Sequence, residues 1–525
     1  MKANAKVGGI LVNLSGFSAS RSVMYEIRKA LTDFKKSGKK IIAFIDNAGT
    51  DTYSLACVAD AIVMDPFAQI SLEGYYMGRL YLKNALEKLG IGVTEIKLFT
   101  HKTAAEEFSR SSMSDQDKEQ YLAYINTMYR ELVTAISEGR GLSEQKIGEL
   151  IEKDYILTAS RAVNKNLVDY VGRLQAVRDS MRDMRLGYSY FEVYGDTATS
   201  LSQSSKAYDS YYRETTGFSD DWKTPKTIAV VYLDGGTDLD SGMNARACAK
   251  LILEASQHAD AIVLRVNSPG GDAVAADYIA EAVLQVKRMG VPVIVSMSDV
   301  AASGGYWVSM NADQIFATPY TLAGSIGVIY SWLYDNGLNA KLGLNMDGVQ
   351  KGSHADAYAG IFIPHRNLTD DEIALAREAI KEMYSEFVRK VAEGRDMTIE
   401  AVEKIAQGRW YSGIDAQSLG LVDSIGTLYD AIEYAKEKIG LASEAYAYVD
   451  EYFPEMPYMF LPSGLASQAA RLVMNWLVPQ PSTVYSAVTA LNAMAESKID
   501  ASGQVRAELS VEEWDILYSN SYSVK

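Results

Sequence analysis

The sequence predicts an α/β protein built from two tandem copies of one domain, each a parallel sheet with helices packed on it. Two observations carry this. Strand-like apolar runs alternate with amphipathic helical patterns, as in SVMYEIRKALTDFKKSGKKIIAFID (22–46) and DYIAEAVLQVKRMGVPVIVSM (277–297), the rhythm of βαβ units. The chain also repeats itself at a nearly constant offset. VADAIVMDP (58–66) matches NADQIFATP (311–319) at 253, SMSDQDKEQY (112–121) resembles NLTDDEIALA (367–376) at 255, and ASRAVNKNLVD (159–169) matches GIDAQSLGLVD (413–423) at 254.

The first copy is assigned to residues 1–195 and the second to 227–445. Between them, 196–226 is rich in Ser, Thr, Tyr and Asp and reads as a linker; 446–525 reads as a partly amphipathic extension. The copies open differently. The second has TIAVVYLDGG and about 35 residues in all before its AIVLRVNSPGG strand, whereas the first reaches the matching GGILVNLSG within ten. The first copy is therefore expected to lack its opening strand, through truncation or loss.

Bulk properties narrow the function. The chain has 525 residues, 48% apolar and 22% charged, which suits core-forming domains. A formal net charge of −16 repels phosphate backbones and argues against nucleic acid as a partner. Cys57 and Cys248 form neither a disulfide framework nor a metal-site spacing, so no metal is expected. His101, His258, His354 and His365 are scattered, and no spacing supports a Ser-His-Asp site. The polar start MKANAK is not a signal peptide. The longest uncharged run, Leu472 to Ala495, is broken by Pro479 and Pro481 and does not read as a spanning helix. The neighbouring MPYMFLPSGLASQAARLVMNWLV is compatible with an amphipathic helix on a membrane or a partner, and also with core packing.

Chemistry is divided unequally between the copies. In SDVAASGGYWVSMNADQ (298–314), Ser303 follows a strand pattern and precedes Gly304, Gly305 and a helix start. Alone it reads first as a Ser-Gly-Gly turn residue, and only second as a nucleophile beside backbone amides. A second glycine loop, Gly270-Gly271 in NSPGGD, follows the neighbouring strand. The two loops can set the amides of Gly271 and Gly304 on either side of one acyl oxygen, which favours the nucleophile. The first copy has Thr50 in NAGTDTY at the matching position, and SGFSAS in place of the glycine loop. A serine needs a base. Lys102, in FTHKTAAEEFSRSSMSD, has no lysine at its matched position near Ala355, with Lys351 the nearest decoy. A lysine only in the copy without the serine suggests one site shared between halves; a solvated surface lysine is the plain alternative.

The motifs THKTAAEEFSRSSMS, VLRVNSPGG, MSDVAASGGYW, TLAGSIGV and AQGRWYSGIDAQSLGLVD, in this order along the chain, resemble the duplicated form of the signal peptide peptidase A (protease IV) family, peptidase family S49. The resemblance covers essentially the whole chain and weakens after about residue 450. It implies two ClpP/crotonase-like domains, Ser303 as nucleophile, Lys102 as general base and Ser325 of AGSIG holding the lysine. Gly271 and Gly304, with Gly270, would form the oxyanion hole. It implies cleaved signal peptides and similar apolar segments as substrates, no cofactor, and a homo-oligomer, a homotetramer in the family, at the outer face of a cell's inner membrane. Where the family motif usually reads Tyr-Lys-Ser, this chain has His101-Lys102-Thr103, which bears on the local geometry. The family's membrane anchor is missing from this sequence, as in a shortened member. A crotonase-like acyl-CoA enzyme and an inactive scaffold are the rival readings.

Overall fold

The computed structural model describes residues 2, 7–183, 226–442 and 445–454. The first copy contributes β1 (Gly9–Asn13), β2 (Lys40–Ile45), β3 (Ala61–Met64), β4 (Gln69–Ser71), β5 (Ile91–Lys97), β6 (Ile156–Thr158) and β7 (Tyr170–Val171). The second contributes β8 (Thr227–Asp234), β9 (Ala261–Ser268), β10 (Val293–Ala302), β11 (Gln314–Ala317), β12 (Leu322–Gly324), β13 (Ile329–Asp335), β14 (Trp410–Ser412), β15 (Ser424–Ile425) and β16 (Tyr448–Tyr452).

The duplication is written into the pairing. The first sheet runs β1-β2-β3-β7, all parallel, and the second repeats that order as β9-β10-β11-β15. The antiparallel pair β4·β6 likewise has its counterpart in β12·β14. The second sheet continues outward from β9 through β8 to β16. Among the described residues no strand pairs outside β1, so the first sheet has no counterpart of β8, as the unequal openings of the copies led one to expect. Residues 448–452, placed in the extension by sequence, are instead the outer strand of the second sheet. Their short YVDEY pattern carried no packing signal until β8 was there to pair with. Residues 196–225 of the expected linker and the amphipathic segment 456–478 lie outside the described residues.

The central strands are buried on both faces, which is why β8 and β9 read as largely apolar runs, with Arg265 the charged exception in β9. Alternate residues face opposite ways. Ala229, Val231, Leu264 and Val295 enter the main core under the helix Ala273–Arg288, while Ile228, Val230, Val263 and Ile294 meet Ala431 and Ala435 of the helix Leu428–Lys438. Among the described residues no helix is long and apolar enough to cross a membrane.

Two of the contacts that join the copies involve β5 and the helix Arg21–Lys35. β5 of the first pairs antiparallel with β13 of the second, from Lys97↔Ile329 at one end to Ile91↔Asp335 at the other. The helix Arg21–Lys35 also docks on β10: Ser22 Oγ lies 3.2 Å from Ser298 O and 2.9 Å from Thr318 Oγ1. Beside it the buried Arg265 donates to Glu26 at 2.7 Å, to Ser296 Oγ at 2.9 Å and to Ser298 Oγ at 3.1 Å, while Glu26 also accepts from the Leu428 amide at 3.2 Å. Removing one member of such a pair strands the other. Glu26→Ala is expected to lower unfolding stability by roughly 2–4 kcal/mol. Glu26→Gln, which keeps an acceptor for Arg265 and Leu428, should lose less. Denaturant titration checks both; equal loss in the two variants would show that charge, not the missing acceptor, matters.

Candidate active site

Because β9 and β10 are parallel neighbours, both leave the sheet at the same edge. β9 runs into Pro269-Gly270-Gly271, and β10 into Ser303 at the head of the short helix Gly304–Trp307. Ser303 sits at φ 54°, ψ −117°, a backbone region that L-residues seldom adopt. Hydrogen bonds hold it there. Its amide donates to Gly324 O at 2.8 Å, and its carbonyl accepts from Tyr306 and Trp307, both at 3.0 Å. The glycine loop crosses directly over this turn: a Cβ on Gly270 would lie 2.6 Å from both Ser303 Cβ and Gly304 N. Among the described residues the Gly271 and Gly304 amides have no acceptor. The Gly270 amide is already given to Ser268 Oγ at 3.2 Å. Gly270, grouped with the oxyanion donors by sequence, therefore contributes its missing side chain, which lets the loop close on the turn.

Lys102 reaches Ser303 from the other copy. Its Nζ is 3.2 Å from Ser303 Oγ and 3.0 Å from both Oγ and the carbonyl of Ser325. Its stem runs through a slot walled by Gly408 and Gly327. A Cβ on Gly408 would lie 2.5 Å from Lys102 Cβ, and one on Gly327 would lie 3.4 Å from Cδ. The residue is 4% exposed, and no carboxylate compensates its charge, so burial pushes the amine from its usual 10.5 down to about 7. At neutral pH much of it is an uncharged amine. That form has two N–H groups, matching the two Ser325 acceptors, and a lone pair left to accept the Ser303 hydroxyl proton.

The elements that hold the lysine were not singled out by sequence reasoning. Gln120 donates to His101 O at 3.3 Å, Asp117 accepts from Thr103 Oγ1 at 2.6 Å, and Arg79 donates to Thr103 O at 2.7 Å. All three sit in the first copy, and only the proximity of SMSDQDKEQY to the lysine motif hinted at two of them. The decoy Lys351 is exposed. Among the described hydrogen bonds no histidine reaches Ser303; His354 meets Glu372 at 2.8 Å and His365 meets Ala359 O at 3.2 Å. At the matching place in the first copy, Thr50 Oγ1 lies 3.4 Å from Ser71 O, and its neighbour Asp51 is taken by Arg21 and Tyr75.

Comparison with known proteins agrees with this layout. The model of "Peptidase family S49" matches residues 33–186 and 285–442, one segment in each copy. A protease 4 from Haemophilus influenzae is 30% identical over 442 residues, covering 83% of this chain and 70% of the relative. A chloroplastic serine protease SPPA from Arabidopsis thaliana is 28% identical over 83% of this chain and 64% of its own length. A putative signal peptide peptidase SppA from Enterococcus faecium is 38% identical over 34% of this chain and 50% of its own. Duplicated α/β sheets and these relatives define a serine protease. The chain belongs to peptidase family S49.

The lysine's environment makes stability depend on pH with a definite sign. Between its folded value of about 7 and its usual 10.5, the unfolded chain holds a proton that the folded one releases, so stability rises with pH across that window. Lys102→Met removes this burden. The variant should be more stable than the parent by a few kcal/mol at pH 7, an advantage that shrinks as pH approaches 10. Denaturant melts at several pH values would show it; a constant difference would mean that the lysine stays charged in the fold.

Proposed function

We propose that the protein is an endopeptidase working through a Ser303/Lys102 dyad and an acyl-enzyme. The observation that carries the reading is the 3.2 Å approach of a buried, largely uncharged Lys102 amine to Ser303 Oγ. Lys102 Nζ takes the hydroxyl proton as Oγ attacks the peptide carbonyl. The amides of Gly271 and Gly304 receive the oxyanion, and collapse of the tetrahedral intermediate expels the amine, which takes the proton from the Lys102 ammonium. Water, deprotonated by the same lysine, then hydrolyses the ester. Ser325 orients the amine through its hydroxyl and carbonyl.

The proposed substrates are cleaved signal peptides and similar apolar segments. The name of the Enterococcus relative and the motif resemblance support this. The same reading makes the protein a homo-oligomer acting at the extracytoplasmic face of a membrane. It requires neither cofactor nor metal.

Ser303→Ala is expected to reduce hydrolysis of an apolar peptide by several orders of magnitude while leaving the melting profile near that of the parent. Parent activity should rise with pH through about 7, following the neutral fraction of Lys102. Lys102→Arg should be nearly inactive throughout, since guanidinium does not deprotonate in this range. A wild-type pH profile in Lys102→Arg would sink the dyad.

Ser325→Ala removes one of the lysine's two orienting acceptors but leaves the carbonyl. A loss of roughly 10–100-fold is expected, by analogy with groups that orient a reacting side chain. An unchanged rate and pH profile would reduce Ser325 to a turn residue.

A further inference from the structure

Lys102 lies in the first copy and Ser303 in the second, so their approach depends on how one loop is held against the other half. Gln120, 6% exposed on the helix Asp115–Arg140, bridges that junction with a single amide. Its Nε2 donates to the carbonyl of His101, the residue before Lys102, at 3.3 Å. Its Oε1 accepts from the amide of Trp410 in the second copy at 3.1 Å. Trp410 pairs with Gly324 across β12·β14. Gly324 O in turn takes the Ser303 amide at 2.8 Å, and the Ser325 amide donates to Arg409 O at 2.6 Å. One side chain therefore connects the peptide that carries the lysine to the strand pair that fixes both serines.

The duplication supplies an internal comparison. Asp117 corresponds to Glu372, and each carboxylate ties down the segment preceding its helix. Asp117 accepts from Thr103, while Glu372 accepts from Arg366 and meets His354. That role is common to the two copies and needs no catalytic explanation. Gln120 corresponds to Leu375, which is 66% exposed. The buried bridging amide thus exists only in the copy that contributes a lysine.

We infer that Gln120 is a positioning residue for catalysis, its amide setting the register of the Lys102 loop against the strands that hold Ser303 and Ser325. The inference rests on the dyad reading above. An amide is needed because one end must donate and the other accept. A carboxylate keeps the acceptor for Trp410 but faces His101 O with no proton to give, and it brings a negative charge toward the lysine. A thioether of the same length offers neither bond.

The test compares Gln120→Met and Gln120→Glu with the parent and with Lys102→Met, using peptide hydrolysis across pH 6–9 and a fluorophosphonate to count reactive serines. Gln120→Met should lose roughly 10–100-fold in kcat per reactive site, with KM changed little, because the reacting groups are misplaced and binding is not. Its activity midpoint should move above about 7 as the loosened slot admits water. Gln120→Glu should move the midpoint further, the added charge favouring the ammonium. A merely structural glutamine would lower the melting temperature or the count of reactive sites and leave the midpoint and the kcat per site unmoved; that result overturns the inference. So does wild-type kinetics in Gln120→Met while Lys102→Met is inactive. If Lys102→Met itself retains full activity, the dyad reading fails first and takes this inference with it.

Discussion

Everything at this site turns on a primary amine that must be kept out of water. A solvated lysine is an ammonium with no lone pair to offer, and the protein changes this by burial alone: no neighbouring cation helps lower its value. Burial by itself is destabilising, so the fold must supply walls that cannot relax outward. Gly408 and Gly327 do so by letting backbone lie against the lysine's stem, closer than any side chain would permit. The two Ser325 oxygens then satisfy the N–H groups of the neutral amine, which would otherwise be orphaned in the interior.

Under the proposed dyad, that constraint makes each half depend on the other. The slot is made of second-copy backbone, while the lysine arrives from the first. The β5·β13 ribbon brings them into register, since its Lys97↔Ile329 end lies a few residues from both Lys102 and Ser325. Ser303, the proposed nucleophile, is held in the same spirit. Ser303 and Ser325 both have positive φ, at 54° and 52°, and backbone hydrogen bonds from neighbouring strands hold each in place. Strain of order 1–3 kcal/mol per residue persists only where the surroundings over-determine it. Here the sheet edge, the glycine loop and the segment 406–411 all converge on the two serines.

The equivalence of the two sheets and the proposed reacting residues were legible in the sequence, for different reasons. Repeated segments at one offset carry the topology because matched strands must pair in matched order, and β3·β7 and β11·β15 do so. Ser303 and Lys102 stood out because each is present in one copy and missing from the other. The supports around them left no such trace. Gln120 and Gly408 act on main-chain atoms or on the lysine's stem, Gln120 by bonding the His101 carbonyl and the Trp410 amide and Gly408 by lying against Lys102, and no residue pattern encodes such positions. The strand β16 was missed because a short edge strand beside a fully buried one needs little apolar patterning of its own.

The departure from Tyr-Lys-Ser to His101-Lys102-Thr103 shows which atoms of the lysine loop matter. At the third position the hydroxyl is what the fold uses: Thr103 Oγ1 meets the fully buried Asp117 at 2.6 Å, a bond that serine can make equally well. At the first position the fold uses the main chain. The His101 carbonyl takes the Gln120 amide, whereas its ring Nε2 has no hydrogen-bond partner among the described residues and lies 3.6 Å from the mostly exposed Glu119. Among the described residues the His101 ring therefore makes no hydrogen bond that holds the loop. The lysine's place is set by a carbonyl before it, a hydroxyl after it and a glycine-walled slot around it. The variable side chain lies outside that set.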